Sequence, residues 1–152
     1  MGWAWCSPEV ALIGILRVVE ELRIQKPGSI IVINGLLPRS FDRKDGYLHE
    51  KRNNNNNIIG IHRKYDGRYN FPSLWNDIKS INQQLEEYSK RHDNVEYFDA
   101  TDIFLMGDID IVSEDDLRID PNLMNDFLHP SHIGYKLWGD QIVLKLRELI
   151  HN

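Results

Sequence analysis

The sequence predicts an α/β fold in which a short parallel sheet is flanked by helices. Three observations carry that prediction. An apolar helical pattern at 7–28 runs directly into a β-branched run at 29–38. An amphipathic helical pattern at 72–92 leads into a second strand pattern at 94–101. A third helical pattern closes the chain after Ser131. The order helix, strand, loop, helix, strand, loop, helix belongs to the alternating arrangement that builds parallel sheets through right-handed crossovers. A chain of 152 residues and 17.9 kDa suits a single domain over 1–152.

The first helix is punctuated at both ends. Ser7 suits the N-cap, Pro8 the first helical position, and Glu9 the positive end of the dipole, while Pro27-Gly28 stops the element. Apolar residues surround most of its girth, with Arg17, Glu20 and Glu21 as exceptions, so it expects cover on more than one side. "SIIVINGLLP" at 29–38 is the kind of continuous β-branched run that forms a strand buried on both faces.

The stretch 40–70 is different. It is polar, lacks a sustained period, includes five consecutive asparagines (Asn53 to Asn57), and holds seven Lys/Arg against four acids. A segment of that length without structure is unusual in a compact domain, and it reads as an inserted mobile loop or, less often, an active-site flap. The helix at 72–92 places Leu74, Ile78, Ile81, Leu85 and Tyr88 on one stripe. The stretch 102–125 reads as acidic and irregular. In the last helix Trp138, Ile142, Leu146 and Leu149 share a face. Two strands are too few for an independent sheet, so the pattern reads as part of a larger fold.

Composition narrows the function classes. With 41% hydrophobic and 27% charged residues the chain has a globular balance, and a net charge of −5 gives no reason to expect nucleic acid or an anionic membrane as partner. The longest apolar run, 10–16, is far short of the roughly 18 residues a membrane span requires. It also lacks the basic flank and small-residue cleavage site of a signal peptide. Cys6 is the only cysteine, which excludes an internal disulfide and fits a reducing compartment, so a cytoplasmic protein is expected.

The chemistry is concentrated in "MNDFLHPSHIGYKLWGDQ" at 124–141. A carboxylate at Asp126 and an imidazole at His129, three residues apart before a helix, can form a general base and its orienter. Taken alone, the motif reads more often as an ordinary surface entry to a helix. A metal reading would use Asp126, His129 and His132, but Pro130 disfavours a helical conformation at His129 and so separates the two imidazoles.

Three blocks together raise the catalytic reading. "SIIVINGLLPRS", "LWNDIKSINQQLEEYSKRHDNVEYFDATDIF" (with Asn82 and Asp99) and "DFLHPSHIGYKLWGDQI" resemble, in the same order, blocks of the SGNH (GDSL-like) hydrolases. The style is closest to the platelet-activating-factor acetylhydrolases. The resemblance implies a three-layer, flavodoxin-like fold with its first half missing. It also implies Asp126 as orienting acid, His129 as general base, and ester cleavage through a serine with no cofactor and no metal.

The serine and the oxyanion groups of that family lie in blocks that have no counterpart here. Gly107-Asp108-Ile109 and Gly139-Asp140-Gln141 lack the hydroxyl of a Gly-Asp-Ser block, and Asn76-Asp77 and Asn125-Asp126 lack the glycine of a Gly-x-Asn-Asp block. Without a serine and its oxyanion donors no useful turnover is expected from the chain alone. A small ester substrate is then expected only when the missing half is supplied. The rival reading is a non-catalytic interaction module, self-associating through an exposed sheet edge. Cys6, just ahead of a helix N-terminus, is a remote substitute nucleophile.

Overall fold

A computed structural model describes residues 7–40, 45–49, 51–52, 58–59, 73–106, 113 and 116–151. The order of elements is α1 (Pro8–Gln25), β1 (Ile31–Asn34), β2 (Lys51–Arg52), β3 (Ile58–Ile59), α2 (Trp75–Ser89), β4 (Val95–Phe98), a 3-10 turn (Asp102–Phe104), β5 (Leu105–Met106), β6 (Arg118–Ile119) and α3 (His132–His151). The contacts group into two compact units: Met1–Leu36 with Asp77–Asp99, and Leu37–Asn76 with Ala100–Asn152.

The first unit is the α/β part. β1 and β4 pair in parallel, with Ile31 opposite Val95 and Asn34 opposite Phe98. Backbone bonds from Ile31 to Asn94 and from Gly35 to Phe98, each 2.9 Å, extend the ladder at both ends. The side chains of a strand alternate between faces, so Ile31, Ile33, Val95 and Tyr97 share one face. These residues pack with Leu12 and Val19 of α1 and with Ile81 and Leu85 of α2 in one cluster, so both helices cover that same face. The α1 cap is as expected, with the Ser7 Oγ accepting from the Val10 N–H.

α1 and α2 are also joined by polar groups. The Tyr88 hydroxyl donates to Glu20, and Arg23 Nη1 donates to both Glu20 oxygens at 3.0 and 3.1 Å and to Tyr88 at 3.2 Å. The Tyr88 bond, more than the nearby arginine, holds the Glu20 carboxyl below its ordinary range. Asn82 makes the other cross-link. Its buried carboxamide accepts from the Leu36 N–H at 2.7 Å and donates to the Leu36 carbonyl at 2.9 Å, fixing the backbone just beyond β1. The Asn82 singled out in the sequence is therefore a brace.

The second unit is built on short antiparallel pairings. β5 pairs with β6, with Leu105 opposite Ile119, and Tyr47 bridges to Arg118 on the other side of β6. Backbone bonds run from Ile119 to Gly46 (2.9 Å) and from Leu48 to Leu117 (3.2 Å). The segments 46–48, 117–119 and 105–106 thus form a small platform. In this unit Leu48, Phe104, Leu117, Ile119 and Met124 are all nearly or wholly buried. The stretch 102–125, expected to be irregular, supplies two strands of this platform.

Most of the expected loop 40–70, including its five asparagines, lies outside the described residues. Within it β2 pairs with β3, and Leu48 is part of a core. Cys6 also lies outside the described residues.

α3 begins where Ser131 caps it. The Ser131 Oγ accepts from the Gly134 N–H at 3.1 Å and donates to the Asn122 carbonyl at 2.6 Å. Gly134 is buried, and a methyl group there would run into the Leu123 carbonyl, so the first turn of α3 lies directly on 122–123. The Trp138 ring meets Phe104 edge-on at 6.3 Å. The face expected to carry Trp138, Ile142, Leu146 and Leu149 is only half-covered, and Leu146 is exposed.

Candidate active site

The segment between the platform and α3 carries the two residues singled out in the sequence, and the structure brings them together. Leu123 and Met124 donate their N–H groups to the Asp120 carbonyl, and Phe127 donates to Met124 at 3.0 Å. These bonds coil 120–127 into consecutive tight turns. Phe127 then adopts φ 56°, the left-handed region that a bulky side chain seldom occupies, which costs about 1–2 kcal/mol.

This turn folds the following amides back onto Asp126. The N–H groups of Leu128 and His129 both donate to Asp126 Oδ1, at 3.0 and 2.7 Å. The second oxygen, Oδ2, lies 2.7 Å from His129 Nδ1. The side-chain bond to His129, followed by that residue's backbone N–H, holds the Asp126 carboxyl down at about 2. An ionised carboxylate only accepts, so Nδ1 carries the proton of the neutral ring. Nε2 is left out of the pair on a side chain that is 71% exposed. An imidazole held in this tautomer can take a proton at Nε2, and the carboxylate beside it stabilises the imidazolium that results.

Pro130 follows His129, and α3 starts only at His132, so the two imidazoles do not share a helical face. Among the described residues no group of three or more His, Cys, Asp or Glu side chains is arranged to hold a metal ion. No helix of the described residues is long and apolar enough to cross a membrane.

No family model matches the chain, and no curated protein sequence matches it. Among solved structures it is similar to the esterase domain of the ORF1 protein from the zebrafish ZfL2-1 retrotransposon, with a TM-score of 0.53 and 18% identity. The fold is α/β and esterase-like. The match covers 93% of this chain and 60% of the other, so the chain spans less than two thirds of the length of that chain. At this identity the likeness concerns the fold alone, and what Asp126 and His129 can do follows from their geometry.

Two contributors to the site were missed in the sequence. Phe127 has no sequence signal for its left-handed backbone, and Gly46 sits in the stretch read as a loop. The double use of Asp126 had a signal: an aspartate two and three residues ahead of free N–H groups commonly closes an Asx turn.

Proposed function

We propose that the chain is the C-terminal portion of an SGNH/GDSL-type ester hydrolase, with Asp126 as orienting acid and His129 as general base. The observation that carries this reading is the 2.7 Å contact between Asp126 Oδ2 and His129 Nδ1, with Oδ1 tied down by two amides. In acyl transfer His129 Nε2 removes the proton of a serine hydroxyl as it attacks the ester carbonyl. It then returns the proton to the departing alcohol, and the sequence repeats with water. The esterase-like fold is consistent with that chemistry.

The nucleophile and oxyanion donors are assigned to polypeptide other than these 152 residues, and the chain alone is inactive. Substrates are small esters, with a tilt toward short acyl groups from the Gly-Leu-Leu-Pro-Arg turn at 35–39. Treatment of the purified chain with a fluorophosphonate should label no serine. A serine labelled stoichiometrically in this chain would overturn the reading.

A second reading, a non-catalytic interaction module that self-associates, is favoured by one observation. α1 exposes Val10, Ile13, Val18 and Ile24, and β1 pairs on one edge only among the described residues. Exposed apolar surface beside an open strand edge favours association.

A further inference from the structure

The Asp126–His129 geometry depends on one backbone conformation, and that conformation is held from outside the loop. Phe127 lies between the carboxylate and the two amides that bond it. A left-handed φ at a bulky residue persists only where its surroundings over-determine it. Two attachments do so here. The Phe127 carbonyl accepts from the N–H of Ser40, a buried residue, at 3.1 Å. Its ring occupies the space that a side chain at Gly46 would fill: a Cβ there would stand 2.8 Å from Cε1 and 2.9 Å from Cδ1. Gly46 is itself fixed, with φ 76° and its carbonyl accepting from Ile119 of β6. The ring is therefore seated on the platform rather than on its own loop.

We propose that Phe127 is a positioning residue for the pair, its ring seated on Gly46 and its carbonyl held by Ser40 so that the turn brings Asp126 onto His129. This rests on the reading of Asp126 and His129 as an acid/base pair. Rotating Phe127 out of the left-handed region re-aims the Leu128 and His129 amides, both of which donate to Oδ1. The same rotation carries the His129 ring away from Oδ2. Three bonds to one carboxylate thus depend on a single residue's torsions, and Gly46 keeps the seat open by having no side chain.

The tautomer of His129 reads this positioning directly, because the bond at one ring nitrogen decides where the neutral ring keeps its proton. Long-range proton–nitrogen correlation spectra of the ¹⁵N-labelled 152-residue chain at about pH 8, above the ordinary histidine range, should show His129 mainly protonated at Nδ1. D126N should shift it mainly to Nε2. G46A and F127A should produce the same shift while the remaining backbone resonances stay as in the wild type. F127Y, which keeps the ring, should retain the wild-type tautomer. If F127A does not fold, F127L takes its place, since it keeps apolar volume without the flat ring that fits Gly46.

Folded G46A and F127A (or F127L) chains that keep the Nδ1 proton would overturn the positioning role and leave the pair intact. A D126N chain with an unchanged tautomer would instead remove the pair itself, and the proposal with it.

Discussion

At the residue scale, Asp126 is held ionised by what it accepts. Its ordinary value of 3.8 is lowered to about 2 by the His129 ring first and the His129 amide next. A depressed carboxyl stabilises the folded state above its unfolded value and loses that contribution as pH falls through its folded value. The window is therefore pH 3.8 down to about 2. The side chain is 47% exposed, so solvent screening limits the effect to about 1 kcal/mol or less. Urea denaturation should find D126N less stable than the wild type at pH 7, with the gap closing as pH falls from 3.8 through about 2. A stability gap that does not narrow between pH 3.8 and about 2 would contradict the assignment of the charge.

At the element scale, the helices and parallel strands were legible because their signals are repetitive. Ser7, Pro8 and Pro27-Gly28 bracket α1, and α2 shows Ile78, Ile81 and Leu85 buried as their spacing predicts. The β-branched run gave β1, although its paired part is only Ile31–Asn34. The platform was not legible. A pairing of two residues, such as Leu105–Met106 with Arg118–Ile119, is too short to leave a period, and its register is set by partners distant in sequence.

The candidate pair was legible because it is local, and its support was not, because Ser40 and Gly46 lie more than 80 residues away from Phe127. The Asn82 brace illustrates the same limit: an asparagine inside an amphipathic helix says nothing about a backbone 46 positions earlier. N82A leaves the half-buried Leu36 N–H and carbonyl without that carboxamide. Chemical denaturation should show a loss of about 2–4 kcal/mol. A change within 0.5 kcal/mol, the range of an ordinary surface substitution, would mean that water replaces the side chain at no cost.

At the scale of the whole molecule, the α/β unit presents more apolar surface than a self-contained layer would. Ile13 and Val18 of α1 are exposed at 66% and 60%, on the outward side of a helix whose inward side forms the core with Leu12 and Val19. Sedimentation velocity should reveal concentration-dependent association of the chain. An I13K/V18K double variant should reduce it with little change in helix content. Association unaffected by the double variant would move the sticky surface elsewhere, α3 with its exposed Ile133, Val143, Leu144 and Ile150 being the alternative.

The three-residue spacing of Asp126 and His129 also sets how a divided enzyme would behave. Bringing these two side chains together closes a very small loop and costs little chain entropy. A serine on a separate polypeptide must be delivered against the full entropy of association, at an effective concentration that only tethering can raise. On the proposed reading, ester hydrolysis by this chain mixed with the polypeptide that carries the serine should therefore fall away on dilution and recover when the two are fused. The histidine tautomer, fixed entirely within this chain, should stay the same throughout.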